Sequence, residues 1–367
     1  MKWFFLLGRN IELSKAEIEA FLRKEGIGFE ILGLKDNGLL AELDSELQEG
    51  CIENLGGVIS MGKVIAEGSF KDISSRLEGE ILYSTIGNKL NYDIYNFNGK
   101  DFDLISSYLK HKFRGEKLKA TEKQLNKSIK LQEKKNVPNS SSRLVDEHYF
   151  VFDDCFGRMT ENSDYFDVEK RDMKKPVRRS ELSISPRLAK ILINLSETKK
   201  GETLLDPFCG TGVVMMEAVL QGIRAVGIDN DRGVLEGAEQ NLKWIHADKE
   251  EYTLINNDST TAKILKVASI ATEPDLGKLH RGKPSPDLAR RILAEFENLM
   301  IRTLRNLGKS VEGKIAFTSP LLFTSRGKMS CSFEKIARSS GLKILTGPIP
   351  EFREKSIVGR NFVVMGR

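Results

Sequence analysis

The chain has 367 residues, with 57 Lys plus Arg, 52 Asp plus Glu, and a formal net charge of +5. Its 40% hydrophobic and 30% charged residues are typical of a folded globular protein of two or three domains, which excludes collagen-like and disordered chains. No segment approaches the roughly 20 apolar residues of a membrane-spanning helix, so we expect no membrane association.

The first apolar run, Trp3 to Leu7, is too short for the core of a secretory signal, and we predict that it is a β-strand. Residues Ser14 to Glu17 fit a capping box at the start of a helix, and Asp36-Asn37-Gly38 is typical of a hairpin turn. With a second helix, the order β-α-β-β-α-β predicts a ferredoxin-like domain over residues 1–78. The other strands predicted in it are Phe29 to Leu34, Leu39 to Leu43 and Val64 to Glu67.

Residues 79–155 form a second predicted unit with weaker periodicity. A helix is predicted from Asp101 to about Phe113, with strands near Ile81 to Ile86, Tyr92 to Tyr95 and Tyr149 to Phe152. A Lys-rich segment, 110–136, follows; such segments bind phosphate backbones, and a solvated helix face is the alternative explanation. Residues 156–182 are highly charged, with a second basic cluster from Lys170 to Arg179, and we interpret them as a linker.

In residues 183–367, strands and helices alternate. This order predicts an α/β fold with a doubly wound, Rossmann-like parallel sheet, in which ligands bind beyond the carboxyl ends of the strands. The predicted strands are Thr203 to Leu205, Ala225 to Ile228, Tyr252 to Ile255, Val267 to Ala271 and Lys314 to Thr318. The predicted helices are Leu188 to Leu195, Val213 to Leu220, Val234 to Ile245 and Leu288 to Leu304.

The cysteines and histidines show no metal-ligand spacing. Cys51, Cys155, Cys209 and Cys331 are far apart and form no C-x-x-C pair, which argues against a zinc site and a disulfide scaffold. We therefore expect no metal, and a reducing, cytoplasmic environment.

A glycine-rich turn follows the first strand of the last region. Gly210 and Gly212 allow a tight turn and the close approach of a ligand, and the next helix presents free N–H groups. Asp229, after the next strand, can accept hydrogen bonds from ribose hydroxyls, and Asp258, after the third, can reach an adenine amino group. The candidate cofactor-binding residues are Asp206, Pro207, Phe208, Cys209, Gly210, Thr211, Gly212, Asp229, Asn230, Asp258 and Ser259.

Two nucleotide-like cofactors fit this pattern, NAD and S-adenosylmethionine, and a structural turn without a ligand is the third interpretation. The dinucleotide fingerprint G-x-G-x-x-G/A requires Gly or Ala where this chain has Met215, which argues against NAD. Asp206-Pro207-Phe208 resembles the first motif of Rossmann-like methyltransferases that act on amino groups of bases, which favours S-adenosylmethionine.

Four further segments are informative: Phe5 to Glu17, Glu169 to Arg179, Ser185 to Leu195 and Ile357 to Arg360. With the glycine-rich turn, they resemble the THUMP-domain tRNA guanine-N2 methyltransferases of the archaeal and eukaryotic type. The resemblance implies a ferredoxin-like domain, a THUMP-like RNA-binding domain over 79–155 and a C-terminal methyltransferase domain. It also implies a tRNA guanosine near the base of the D-arm as target and, as in some relatives, an activating protein subunit. The candidate RNA-binding residues are Lys117, Lys119, Lys123, Lys127, Lys130, Arg171, Lys174 and Lys175. Arg353, Lys355, Arg360 and Arg367 are further candidates for the same RNA path.

The catalytic motif differs from that of the family, which has D-P-P-Y after the fourth strand; this chain has Glu273-Pro274-Asp275-Leu276. In the family, the acidic side chain and a backbone carbonyl hold the exocyclic amine, and the ring stacks on the flipped base. Leu276 removes a stacking surface worth about 1–3 kcal/mol, which Phe208 or Phe323 could replace. The alternatives to a guanine-N2 methyltransferase are an RNA-binding protein that retains the cofactor without transfer, and an adenine amino methyltransferase.

Overall fold

The computed structural model describes residues 1–123, 128–130, 136–138, 145–178, 183–276, 282–354 and 356–367. These residues form two compact units, the first with residues 1–15, 27–53 and 57–163, the second with 16–26, 54–56 and 164–367. The predicted boundary after residue 78 does not separate compact units, because strands from both sides of it join one sheet.

The chain to residue 163 is mainly β-structure. Its strands are β1 (Lys2–Leu7), β2 (Phe29–Lys35), β3 (Gly38–Leu43), β4 (Val58–Glu67), β5 (Lys89–Phe97), β6 (Lys119–Glu122), β7 (Ser128–Lys130), β8 (Asn136–Pro138), β9 (Glu147–Phe152) and β10 (Cys155–Asn162). Its helices are α1 (Ile11–Glu25), α2 (Phe70–Leu77) and α3 (Phe102–Gly115). Within the described ranges, eight strands form a mixed sheet in the order β2-β3-β1-β4-β10-β9-β5-β6, and β7 pairs with β8.

Alternating side chains of β9 bury both faces of this sheet. Tyr149 and Val151 belong to one apolar cluster, and Phe150 and Phe152 to another, on the opposite face. The sheet therefore has a core on each side, which explains why β9 is buried along its whole length.

Of three local predictions for this unit, the hairpin turn is correct, and the capping box and one strand are wrong. The hairpin of β2 and β3 around Asp36-Asn37-Gly38 is confirmed. The capping box at Ser14 is wrong: α1 begins at Ile11, and the Asn10 side chain accepts a hydrogen bond from the Leu13 N–H at 3.1 Å. The strand predicted at 81–86 is also wrong, since no strand is assigned to these residues.

The second unit contains an α/β sandwich. Its helices are α4 (Tyr165–Met173), α5 (Pro186–Leu195), α6 (Val213–Leu220), α7 (Arg232–Trp244), α8 (Pro286–Leu307) and α9 (Phe333–Ser340). Its strands are β11 (Thr203–Asp206), β12 (Arg224–Asp229), β13 (Tyr252–Asn256), β14 (Ser269–Thr272), β15 (Ile315–Thr324), β16 (Gly327–Met329), β17 (Lys343–Glu351) and β18 (Val358–Gly366). Among the helices of the described ranges, none is both long and apolar enough to cross a lipid bilayer.

The sheet order in this unit is β13-β12-β11-β14-β15-β18-β17, with β16 paired to β15. β11 to β15 are parallel, as predicted, whereas β18 runs antiparallel to both of its neighbours. The chain proceeds from β11 outward to β13 and then returns to β14 on the other side of β11. This reversal creates a topological switch point, where the carboxyl ends of β11 and β14 open a crevice for a ligand.

The linker predicted over 156–182 is instead partly structured. Residues 155–162 form β10, which pairs with β4 and β9, and residues 165–173 form α4. Arg171 of α4 is 8% exposed and forms a bidentate ion pair with Glu217, which is 1% exposed. A buried ion pair has no apolar periodicity, so the sequence pattern did not reveal this helix.

Candidate functional site

A cavity of about 740 Å³ lies at the carboxyl ends of β11, β12, β13 and β14 in the second unit. It is lined by the predicted cofactor residues, with the exception of Gly212, and by all four residues of the predicted catalytic motif. The tertiary structure therefore brings together the glycine-rich turn and the predicted catalytic motif, which are more than sixty positions apart in the chain.

The glycine-rich turn adopts the backbone conformation that its glycines permit. Gly210 and Gly212 have φ angles of 52° and 81°, in the left-handed region that favours glycine. A Cβ atom at Gly212 would lie 3.2 Å from the Cβ of Ala238, whereas one at Gly210 would contact nothing within 4 Å. Gly212 therefore serves the packing against α7, and Gly210 leaves open space at the cavity wall.

Asp206 ends β11 and is buried. Its Oδ1 accepts hydrogen bonds from the Thr272 hydroxyl at 2.5 Å and from the Phe208 N–H at 3.2 Å. Burial raises the pKa of Asp206 to about 7, and the negative charges of Asp229 and Glu273 act in the same direction. This carboxyl group joins the end of β11 to the end of β14, the two strands of the switch point.

Asp229 ends β12 and holds the glycine-rich turn. Its Oδ2 accepts a hydrogen bond from the Gly210 N–H at 3.1 Å, and its Oδ1 accepts one from the Asp231 N–H at 2.9 Å. Each oxygen retains capacity to accept a further hydrogen bond, as a ribose-binding carboxylate requires.

Asp258 lies after β13 and is exposed at the cavity wall. A hydrogen bond from the Thr260 N–H, at 2.7 Å, holds the pKa of Asp258 below its usual value, so this group stays ionised. The neighbouring Ser259 hydroxyl donates to the Pro207 carbonyl and so ties this loop to the glycine-rich turn.

The lining of the cavity is acidic. Among its lining residues in the described ranges, six are Asp or Glu and none is Lys or Arg: Asp206, Asp229, Asp231, Asp258, Glu273 and Asp275. Within the same ranges, these residues form no group of three that could hold a metal ion. The arrangement suits a ligand that carries hydroxyls, amines and positive charge, and it disfavours a pyrophosphate.

Glu273 is bound by two residues that the sequence did not connect with it. Its Oε2 accepts hydrogen bonds from Arg360 Nε at 2.5 Å and from the Thr318 hydroxyl at 3.0 Å, and its Oε1 accepts one from Arg360 Nη2 at 3.0 Å. Burial alone would lower the pKa of Arg360, but the paired carboxylate raises it above its usual value. Arg360 was a candidate for the RNA path; instead, its guanidinium group is paired with Glu273 of the predicted catalytic motif.

The other motif residues differ in exposure. Pro274 and Leu276 are buried, whereas Asp275 is exposed, so Glu273 and Asp275 do not form a buried carboxylate pair. Of the two rings that could replace the missing aromatic residue, Phe208 lines the cavity. Phe323 is not among the lining residues of the described ranges and packs edge-on against Phe352, with 5.3 Å between ring centroids.

Asn241 of α7 was missed by the sequence analysis. It is fully buried, and its amide nitrogen donates to the carbonyl oxygens of both Thr211 and Val177, each at 2.9 Å. Its Oδ1 accepts a hydrogen bond from the Val177 N–H at 2.9 Å. The side chain therefore joins the basic segment around Val177 to the glycine-rich turn, and a lone Asn in a helix gives no sequence signal of this.

The predicted RNA-binding residues fall into three groups. Lys117, Lys119, Lys123 and Lys174 are exposed. Arg171 and Lys175 were predicted to contact RNA, but both side chains are buried. Arg171 is paired with Glu217. Lys175 is 5% exposed, with its Nζ 3.5 Å from Asp172 and its pKa lowered by burial. Lys127, Lys355 and the side chain of Lys130 lie outside the described residues.

Two protein-family models match parts of the chain, and the residues matched by the first of them lie in the second unit. A family described as an RMKL-like methyltransferase domain matches residues 175–311, and a DNA methylase family matches residues 64–240. The first match includes Glu273, and the second ends before it.

Curated relatives share segments of this sequence. The tRNA (guanine(10)-N2)-dimethyltransferase of Methanothermobacter thermautotrophicus is 42% identical over 96 residues, which cover 26% of this chain and 28% of that protein. The enzyme of the same name from Pyrococcus abyssi is 30% identical over 159 residues, which cover 42% of this chain and 44% of that protein. The chain thus matches less than half the length of these relatives.

Among solved structures, TrmN from Thermus thermophilus superposes with a TM-score of 0.50 at 15% sequence identity, and the match covers 100% of both chains. At this identity the similarity concerns the fold alone. The chain has the α/β fold of Rossmann-like methyltransferases.

Proposed function

We propose that this protein is an S-adenosylmethionine-dependent methyltransferase that acts on the exocyclic N2 amine of a guanosine in tRNA. The observation on which the proposal depends is that a single cavity is lined both by the glycine-rich turn with Asp229 and by Glu273-Pro274. A cofactor held by the first group would lie beside an amine held by the second. The names of the curated relatives support the substrate.

The acidic lining supports S-adenosylmethionine over NAD. The pyrophosphate of NAD would be repelled by Asp229 and Asp258, whereas a sulfonium and an amino group are attracted by them. Asp229 would bind the ribose hydroxyls and Asp258 the adenine amino group, and the open space at Gly210 admits the ligand close to the backbone.

The chemistry requires orientation more than acid–base assistance. S-adenosylmethionine supplies a methyl group that its sulfonium sulfur already activates. Glu273 and the Pro274 carbonyl would accept the two amine hydrogens, which fixes the direction of the nitrogen lone pair. Transfer forms the bond from N2 to the methyl carbon while the methyl–sulfur bond breaks; the sulfur keeps that electron pair, and the amine releases one proton to water.

The first unit is proposed to bind the RNA. We assign residues 1–78 to a ferredoxin-like domain and residues 79–155 to a THUMP-like RNA-binding domain. The exposed Lys117, Lys119 and Lys123 would contact the phosphates of the RNA. A guanosine near the base of the D-arm is the proposed target, and an activating protein subunit is a proposed partner. All four cysteines are buried and free, which supports a reducing, cytoplasmic setting.

The test is methyl transfer from labelled S-adenosylmethionine to unmodified tRNA, followed by nucleoside analysis. We expect labelled N2-methylguanosine, and much less label with Asp229→Ala when S-adenosylmethionine is kept below the Kd of that variant, while Asp248→Ala, at an exposed turn, serves as the matched control. Label in N6-methyladenosine would overturn the proposed base and support an adenine amino methyltransferase.

A second candidate is an RNA-binding protein that keeps the cofactor but has lost transfer. It is favoured by Leu276, which is 2% exposed and stands where the family has a stacking ring. Glu273→Ala separates the two candidates. If the chain is an enzyme, transfer falls by at least about 100-fold with the cofactor affinity retained; if it is a binding protein, no function of the chain changes, and no label appears in any nucleoside.

A further inference from the structure

Glu273 stands where the family has the shorter Asp. A Glu side chain has one more rotatable bond, so a free Glu would occupy several rotamers and hold an amine poorly. In this chain the side chain of Glu273 is 6% exposed and that of Arg360 is 18% exposed, and the two form a bidentate pair. The planar guanidinium fork fixes the carboxylate plane in a way that a single point charge does not.

The sheet places both partners beside Glu273. Thr272 of β14 lies opposite Phe317 of parallel β15, so Glu273 continues alongside Thr318. Arg360 of β18 lies opposite Pro320, two residues beyond Thr318 and therefore on the same face of β15. The antiparallel strand β18, which the sequence analysis did not predict, thus brings the guanidinium to the end of β14.

The hydrogen bonds of the carboxylate leave one acceptor position. An ionised carboxylate has about four lone-pair sites. Arg360 Nε and the Thr318 hydroxyl occupy two sites on Oε2, and Arg360 Nη2 occupies one on Oε1. Among contacts within the described ranges, one site therefore remains, on Oε1. Glu273 and Pro274 line the cavity, whereas Thr318 and Arg360 are not among its described lining residues.

We propose that Arg360 and Thr318 are positioning residues that lock the Glu273 carboxylate, so that the last acceptor site of Oε1 and the Pro274 carbonyl together receive the two hydrogens of the substrate amine. The inference rests on the proposed function, because it concerns how that same site holds its substrate. It explains how a Glu can replace the shorter acid, since the extra methylene is immobilised by a partner from β18.

The kinetic test uses Arg360→Ala, Arg360→Lys and Thr318→Val, with Arg338→Ala on the exposed surface of α9 as the matched control. We expect Arg360→Ala to lower kcat about 100-fold, and Thr318→Val about tenfold, with the affinity for S-adenosylmethionine unchanged. Methylguanidine at millimolar concentration should restore part of the activity of Arg360→Ala. Arg360→Lys should recover little, because an ammonium cannot form the bidentate pair. Normal kcat in Arg360→Ala would overturn the proposal.

A crystal structure of Arg360→Ala makes the test independent of transfer. We expect the Glu273 carboxylate to leave its present orientation, while the glycine-rich turn keeps its conformation. An unmoved carboxylate would refute the positioning role, whether or not the wild-type chain methylates tRNA. Absence of transfer by the wild-type chain, with a displaced carboxylate in the variant, would instead refute the proposed function and leave the positioning role supported.

Discussion

The proposed cofactor side and the proposed base side of the cavity differ in how far away along the chain their supporting residues lie. On the cofactor side, Asp229 binds Gly210, 19 residues away, and Asp231, two residues away. On the base side, Glu273 is held by Thr318 and Arg360, which are 45 and 87 residues away. A motif whose supporting residues are nearby in the chain can be recognised from its own sequence. For a motif supported by distant strands, the partners of its side chains depend on how those strands pair.

The largest expected effect concerns Asp206, at the junction of the two sides. Its pKa is about 7 in the folded chain and near 3.9 in an unfolded one, so the folded state binds the proton more tightly. The stabilising contribution of Asp206 is therefore fully present below pH 4, falls as the pH rises from 4 to 7, and is lost above that range. The loss is about 4 kcal/mol for a shift of about three pH units.

Denaturant unfolding between pH 4 and pH 8 measures this slope. Asp206→Asn should reduce it, because the amide oxygen still accepts from Thr272 and Phe208 but does not ionise. An equal slope in both proteins would mean that Asp206 is ionised in the folded chain.

The second-largest expected effect tests whether cofactor binding depends on the proposed cofactor side alone or also on Glu273. Asp229→Ala removes the carboxylate that anchors Gly210 and that would bind the ribose, and we expect a loss of about 2 kcal/mol in cofactor binding, or about 30-fold in Kd. Isothermal titration calorimetry with S-adenosylhomocysteine measures it, and tRNA affinity should not change. A comparable loss for Glu273→Ala would show that the two sides are coupled rather than separate.

The smallest effect distinguishes two adjacent lysines. Lys174 is exposed and Lys175 is buried. We expect Lys174→Ala to weaken tRNA binding a few-fold. The slope of log K against log salt concentration should become shallower by about one, which corresponds to the loss of one phosphate contact. Lys175→Ala should leave that slope unchanged and lower the free energy of unfolding. The reverse assignment would show that Lys175 leaves its buried position when RNA binds.

Much of the second unit could be predicted because its strands and helices have strong local periodicity. The parallel strands β11 to β14, helices α5 to α8 and the glycine-rich turn agree with the predictions to within a few residues, whereas β15 continues to Thr324, six residues beyond its predicted end. The antiparallel strands β17 and β18 were missed, although the latter supplies Arg360. In the first unit, the single sheet formed by residues on both sides of position 78 was not anticipated, since strand pairing between distant segments leaves no local pattern.

The sequence by itself determined the residues that need special backbone geometry and the carboxylates that end successive strands, because these depend on a few neighbouring positions. Only the tertiary structure decided which of the basic side chains are exposed and therefore available to bind RNA. Arg171 and Lys175 are adjacent to exposed basic residues and yet are buried, and Arg360 belongs to Glu273 rather than to a surface. The physical reason is that a charge acquires its role from the partner and the solvent that surround it, and these are set by how distant strands and helices pack.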